Sequence, residues 1–124
     1  MNMKQKEQKR VLIVDDSEMV RNFHGYIARM FGCQVETAEN GAVALEKLLT
    51  EEYQLLITDI NMPRMDGYEL IGNMRENGVN IPVIVVSTEE EYRSRFGEKG
   101  HGTVVHLVKP TNAEKLVTTI KKLI

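Results

Sequence analysis

The chain has 124 residues, enough for one domain with a buried core and too few for two. Apolar residues make up 42% of it, charged residues 27%, and the formal net charge is −2, a balance that argues against a nucleic-acid or membrane partner. No apolar run approaches the ~20 residues of a membrane span, and residues 1–10 lack the apolar core of a signal peptide. Because Cys33 is the one cysteine, no intramolecular disulfide can form, and we expect a cytoplasmic protein with Cys33 buried as a small apolar residue.

Residues 1–9 are polar and locally basic, so we expect a solvated extension followed by a domain over residues 10–124. Four continuous apolar runs rich in β-branched residues, at 11–14, 55–57, 83–86 and 104–108, predict strands covered on both faces, as in a parallel sheet. A weaker strand is predicted at 34–38, where Val35 alternates with polar neighbours as at a sheet edge.

Apolar residues spaced three and four apart between these runs predict amphipathic helices. The faces expected to be buried are, in chain order, Val20, Phe23, Ile27, Met30 and Phe31, then Leu45, Leu48 and Leu49, then Leu70, Ile71 and Met74, and finally Leu116, Val117, Ile120, Leu123 and Ile124. Asn40 can cap the second helix, and Thr111 with Glu114 predicts a capping box for the last. A capping box of Thr88 and Glu91 opens a further helix, which we expect to be short and mobile because its apolar face is thin.

Five β-α units in strict alternation predict a doubly wound α/β fold, because crossovers between parallel strands are right-handed. With the second strand at an edge, the expected order of the five-stranded parallel sheet is 2-1-3-4-5.

Polar side chains follow four of the predicted strands at the rim where ligands bind in such folds. They are Asp15 and Asp16 after the first strand, Asp59 after the third, Ser87 and Thr88 after the fourth, and Lys109 after the fifth. Three clustered carboxylates repel one another unless a cation lies among them. A hard divalent ion with oxygen ligands, of which Mg²⁺ is the economical choice, fits this set.

The segments V-L-I-V-D-D, D-I-N-M-P-R-M-D-G, V-I-V-V-S-T and L-V-K-P resemble the signature blocks of the receiver domain of bacterial two-component response regulators, a CheY-like, flavodoxin-like (βα)5 fold. The resemblance runs from about Arg10 to Ile124. It implies a signalling protein that takes a phosphoryl group from a sensor histidine kinase or a histidine phosphotransfer protein, and that catalyses only its own phosphotransfer and autodephosphorylation. It also implies a monomer, or a weak dimer that depends on phosphorylation.

The resemblance assigns roles to the rim residues position by position. Asp59 is implied to be the phosphoacceptor, while Asp16 and Asp59 hold Mg²⁺ with the backbone carbonyl of Asn61. Asp15 is implied to act through a metal-bound water, and Lys109 to pair with a phosphoryl oxygen.

A second group of residues is implied to transmit and time the signal. Ser87 is expected to bond the phosphoryl group, and Asn61 and Glu89 to tune its lifetime. His106 departs from the family pattern, because that position is usually a Tyr or Phe whose ring swings inward on activation. We expect a downstream protein to bind the face made by the fourth helix, fifth strand and fifth helix. His24 and His101 have no ligand-spaced partners and are expected at the surface.

Two other classes share parts of this pattern. A haloacid-dehalogenase-type aspartyl-phosphate phosphatase also uses an Asp nucleophile, Mg²⁺, a hydroxyl and a Lys, but its nucleophile follows the first strand, whereas Asp59 follows the third. A flavodoxin-like FMN-binding module needs a first loop that cradles phosphate, and here that loop carries Asp15, Asp16 and Glu18, which would repel it.

Overall fold

The computed structural model describes residues 8–97 and 102–124, so residues 1–7 of the predicted extension and His101 lie outside the described part of the chain. Five strands alternate with five helices. The elements are β1 (Arg10–Val14), α1 (Glu18–Met30), β2 (Gln34–Ala38), α2 (Gly41–Thr50), β3 (Leu55–Thr58), α3 (Gly67–Glu76), β4 (Val83–Ser87), α4 (Glu89–Phe96), β5 (Val104–Val108) and α5 (Ala113–Leu123). All four strand pairs are parallel in the order β2-β1-β3-β4-β5, which confirms the predicted fold and the edge position of β2.

Strands β1, β3 and β4 are buried on both faces, as their unbroken apolar sequences predict. The same expectation is wrong for β5, which lies at the other edge of the sheet and is only half-buried, with Val108 exposed. Side chains alternate across the sheet, so Leu12 and Val14 join one apolar cluster while Val11 and Ile13 join the other. Helices α2, α3 and α4 contribute to the first cluster and α1 and α5 to the second. Two covered faces leave the ends of the strands as the place where polar side chains collect. Cys33 is buried, as expected.

The predicted buried face of α1 is largely wrong. Ile27 is buried, but Phe23, Met30 and Phe31 are exposed. The residues that face the sheet are His24, Gly25, Ile27 and Ala28. Glycine and alanine at these positions bring the helix close to the sheet, and a Cβ on Gly25 would lie 3.6 Å from Val35. The apolar periodicity therefore belongs largely to the side of the helix that the sheet does not cover.

Two further expectations are corrected. His24 is buried, with 5% of its surface exposed, because it lies on the inner face of α1 and not at the surface. Leu49 is exposed, since the core-facing residues of α2 are Gly41, Ala44 and Leu48.

Helix caps follow the sequence closely with one exception. Asn40 caps α2, and Thr88 with Glu91 forms the capping box of α4, as predicted. The cap of α5 is Asn112, whose side chain accepts from Lys115 N at 2.8 Å, so the predicted box of Thr111 and Glu114 is wrong by one residue. At eight residues, α4 is short, as expected. No helix within residues 8–97 and 102–124 is long and apolar enough to cross a membrane.

Candidate functional site

Three carboxylates meet where β1 and β3 end. Val14 pairs with Thr58 in the sheet, so Asp15 and Asp59 leave neighbouring strands at the same level. Ligating oxygens of Asp15, Asp16 and Asp59 lie within 4.8 Å of one another. Asp15 and Asp59 are buried while Asp16 is exposed, which gives the cluster one open side. Oxygen-only ligands at this spacing suit a hard divalent cation such as Mg²⁺.

The backbone after β1 is fixed by bonds to Asp15. Its carboxylate Oδ1 accepts from Ser17 N at 2.9 Å, and its carbonyl accepts from the Arg21 guanidinium at 2.7 Å. Ser17 in turn caps α1 by accepting from Val20 N. The start of α1 therefore holds Asp15 and Asp16 at the rim.

Asp59 is held from two sides. Its Oδ1 lies 3.1 Å from Lys109 Nζ and accepts from Ile60 N at 2.7 Å. Lys109 reaches this position because its own N–H donates to Ser87 O at 2.9 Å, which continues the pairing of β4 and β5 beyond the sheet. The structure thus brings together the carboxylate and the ammonium that the sequence placed after β3 and β5.

The charged groups of the pocket are shifted toward their protonated forms. Burial raises the pKa of Asp59 above its ordinary value, although the hydrogen bond from Lys109 opposes this. Burial also raises the pKa of Asp15, opposed by the Ser17 N–H and assisted by the charge of Asp59. Burial lowers the pKa of Lys109, but the bond to Asp59 and the nearby carboxylates outweigh it, so the net shift is upward. Burial and the neighbouring negative charges disfavour the ionised carboxylates, and a cation bound among them would offset both effects.

Ser87 and His106 form a second polar contact at the end of β4. Ser87 Oγ lies 3.0 Å from His106 Nε2 and donates to Thr88 O at 3.0 Å. The His106 ring stacks on Tyr92 of α4, with centroids 4.1 Å apart and planes within 4°. Tyr92 stacks in turn on buried Phe96. A hydroxyl at the rim is therefore connected through aromatic rings to α4.

Glu91, predicted from the sequence only as part of the α4 capping box, also lies at the pocket. Its carboxylate accepts from the side-chain amide of Asn61, and its charge contributes to the raised pKa values of Asp59 and Lys109. Glu89, predicted to tune the site, is exposed and lies 4.0 Å from Arg93. The sequence could have indicated this role, because Glu91 is the third residue of a helix that begins at the rim.

Close backbone contacts fix the loop after β3. A Cβ on Gly67 would collide with the carbonyl oxygen of Asp59, and one on Gly41 with that of Met65. Gly67 N donates to Ile60 O at 2.8 Å. These contacts set the position of the Asp59 backbone.

The family model of the response regulator receiver domain matches residues 11–121. This chain therefore belongs to the receiver domain family of response regulators, a family of two-component signalling proteins and not of classical enzymes. The family match favours a receiver domain over a haloacid-dehalogenase-type phosphatase or a flavodoxin-like FMN-binding module.

Individual relatives of this chain are also response regulators. The response regulator MprA of Mycobacterium ulcerans is 30% identical over 93% of this chain, which spans about half the length of MprA. The chemotaxis response regulator CheY4 of Vibrio cholerae is 32% identical with a TM-score of 0.86, over 95% of this chain and 100% of CheY4. The response regulator TrrA of Thermotoga maritima, solved in complex with Mg²⁺ and BeF, is 32% identical with a TM-score of 0.84, over 94% of this chain and 100% of TrrA.

Proposed function

We propose that this chain is the phosphoacceptor of a His-to-Asp phosphorelay and that Asp59 takes the phosphoryl group. The proposal rests on the groups that surround the Asp59 carboxylate. Asp59 is buried at a strand end, beside two further carboxylates and 3.1 Å from the Lys109 ammonium. Lys109 could offset the charge of a transferring phosphoryl group from one side, and a cation held among the carboxylates would offset it from the other.

The transfer step uses atoms whose contacts are known. A carboxylate oxygen of Asp59 attacks the phosphorus of a phosphohistidine, the P–O bond forms as the P–N bond breaks, and the donor imidazole leaves with that electron pair. Oδ1 takes the hydrogen bonds from Lys109 and Ile60, so we assign Oδ2 as the nucleophile. Lys109 then pairs with a phosphoryl oxygen.

Asp16, Asp59 and the carbonyl of Asn61 would hold Mg²⁺, with Asp15 acting through a water. When bound, the ion supplies positive charge that offsets the charge of the transferred group. Support comes from the upward pKa shifts of Asp15, Asp59 and Lys109 and from the Mg²⁺ complex of the relative TrrA.

The phosphoryl group would draw the hydroxyl proton of Ser87 away from Thr88 O. Because His106 contacts Ser87 and stacks on Tyr92, this exchange of partners would reach α4. We propose that the face made by α4, β5 and α5 then binds a downstream protein.

The signal would end by hydrolysis, in which water attacks the phosphorus and restores the carboxylate. Asn61 and Glu89 are the proposed tuning residues, and we add Glu91 because it bonds the Asn61 amide. The phosphodonor would be a sensor histidine kinase or a histidine phosphotransfer protein, and residues 10–124 would form the receiver domain.

Phosphotransfer from an autophosphorylated histidine kinase or a phosphohistidine phosphotransfer protein tests this function. The wild type should acquire a hydroxylamine-sensitive phosphate and Asp59→Asn should not, although it keeps the fold. Asp66→Asn is the matched control, because this carboxylate caps α3 outside the cluster and asparagine also caps helices well. A label that persists in Asp59→Asn would contradict the proposal.

A further inference from the structure

The backbone carbonyl of Asp15 lies one residue beyond the strand pairing of β1, and a side chain from α1 bonds it. Val14 is the last residue of β1 in the register with β2 and with β3. Asp15 N still donates to Ala38 O at 3.2 Å, but the Asp15 carbonyl accepts from the Arg21 guanidinium at 2.7 Å. Because Asp15 is buried, its carbonyl needs a partner within the protein. Arg21 supplies that partner from a helix and not from a strand.

This bond bears on Asp16, the exposed member of the carboxylate cluster. The Cα atom of Asp16 joins two peptide groups. The Arg21 guanidinium holds the carbonyl of the first, and the Asp15 carboxylate accepts from the N–H of the second, which belongs to Ser17, at 2.9 Å. Two fixed peptide planes leave the Asp16 side chain little freedom of direction, because only the torsions between such planes are soft. The orientation of this exposed carboxylate is therefore set by the backbone on either side of it.

The guanidinium has two opposite effects on a cation at the cluster. Groups that orient a metal ligand without touching the metal typically change the affinity by about 10- to 100-fold when they are removed. The positive charge of Arg21, by contrast, repels a cation bound nearby. Removal of the side chain would weaken metal binding through the first effect and strengthen it through the second, so the sign of the change separates them.

We propose that Arg21 is a positioning residue for Mg²⁺, which orients Asp16 through the peptide group of Asp15. The inference rests on the proposed metal site of Asp16, Asp59 and the Asn61 carbonyl. Arg21 touches neither the ion nor the phosphoryl group in this role. Without the guanidinium, the Asp15 carbonyl would turn toward water, and the Asp16 carboxylate would turn with the peptide plane.

A Mg²⁺ titration of the full chain, followed by the amide resonances of residues 15–17 and 59–61, tests the proposal. Arg21→Met keeps an unbranched apolar stem and removes the donors and the charge. We expect the Kd for Mg²⁺ to rise by about tenfold in this variant. An unchanged Kd, or the lower Kd that loss of repulsion alone would give, would overturn the proposal.

Arg29→Met is the matched control, because it removes the same group from the last turn of the same helix. Its Kd for Mg²⁺ should equal that of the wild type. In EDTA, thermal unfolding verifies that both variants are folded, and the carbonyl carbon resonance of Asp15 reports the hydrogen bond directly. That resonance should move in Arg21→Met and stay in place in Arg29→Met. An Asp15 resonance that does not respond to Arg21→Met would contradict the assigned contact.

Phosphorylation by acetyl phosphate separates a positioning role from a role in the transfer itself. Arg21→Met should reach the wild-type rate once the Mg²⁺ concentration is raised by about tenfold, because only the affinity for the ion is changed. A rate that stays low at saturating Mg²⁺ would overturn the positioning role.

Failure of this inference is distinguishable from failure of the proposed function. A wild type that binds no Mg²⁺ at the cluster would overturn the metal site and the role of Arg21 with it. A wild type that binds Mg²⁺ there with the same Kd as Arg21→Met would overturn the role of Arg21 alone.

Discussion

His106 Nε2 lies 3.0 Å from Ser87 Oγ and 3.2 Å from the Ser87 carbonyl oxygen, so one ring nitrogen faces both polar groups of the same residue. A carbonyl oxygen can only accept, so Nε2 carries a hydrogen in this arrangement. Ser87 Oγ then accepts from His106 while it donates to Thr88 O. The family pattern has at this position an aromatic ring that swings inward on activation, whereas the His106 ring already contacts the Ser87 hydroxyl. We therefore expect His106 to respond through a hydrogen bond and not by swinging into an empty space.

Substitution at His106 separates this bond from the stack on Tyr92. His106→Phe keeps a ring beside Tyr92 and loses the donor, whereas His106→Gln keeps an amide donor and loses the ring. With Mg²⁺ and beryllofluoride, we expect amide shifts of the wild type to be larger over residues 88–97 and 102–106 than in α1 and α2. The Phe variant should lose much of the shift at Thr88, and Gln should retain it. Equal responses at Thr88 in the two variants would show that the bond does not couple Ser87 to His106.

Asp15→Asn should stabilise the metal-free protein by about 1 kcal/mol, because burial and the charges of Asp59 and Asp16 disfavour its ionised form. Asp16→Asn should do less, since Asp16 is exposed. The folded-state pKa of Asp15 is raised, so the native state binds more protons between the unfolded and folded pKa values, and stability falls as pH rises through that window. Urea unfolding in EDTA should show that the free energy of unfolding falls less steeply with rising pH in Asp15→Asn than in the wild type. A Mg²⁺ titration of this variant should show that binding is lost. A destabilised Asp15→Asn protein would contradict this electrostatic account.

For His24 we expect stability to depend on pH in the opposite sense. Burial, assisted by the charge of Lys109, lowers its pKa in the folded state below the ordinary value of 6.5. The unfolded chain then binds more protons between the two pKa values, so stability should fall as pH drops below about 6.5. His24→Leu keeps an apolar side chain at the buried position and should flatten this part of the curve. Identical slopes for the two proteins between pH 7 and 5 would mean that His24 does not titrate there.

Alanine substitutions at two glycines of α3 should change the stability of the protein in opposite directions. A Cβ on Gly67 would meet the backbone of Asp59 and Ile60, which side-chain movement cannot relieve, so Gly67→Ala should cost several kcal/mol, in the range of about 3 or more. Gly72 has nothing within 4 Å of such an atom and lies in the helix interior, so Gly72→Ala should stabilise by about 0.5–1 kcal/mol. Thermal unfolding measures both. A harmless Gly67→Ala would show that the Asp59 loop is not held by this contact.

The sequence allowed the fold and the meeting of the rim residues to be predicted, because buried parallel strands have unbroken apolar runs and their ends share one edge. It did not reveal which side of α1 faces the sheet. Met19, Phe23 and Met30 have the periodicity of a core face, yet Gly25 and Ala28 face the core because close packing there favours small side chains. Periodicity records apolar spacing and cannot distinguish a core from an interaction surface. The Asn61–Glu91 contact was also missed, since it joins residues 30 positions apart through side-chain reach.

Borohydride reduction of the phosphorylated chain identifies the carboxylate that carries the phosphoryl group. The chain is phosphorylated with acetyl phosphate and Mg²⁺, an aspartyl phosphate is reduced to homoserine, and peptide mass spectrometry locates that residue. We expect homoserine at position 59, because among the described carboxylates only Asp59 combines burial at a strand end with the Lys109 contact. Homoserine at Asp15 or Asp16, or an acid-stable phosphate on Ser87 or Thr88, would contradict it.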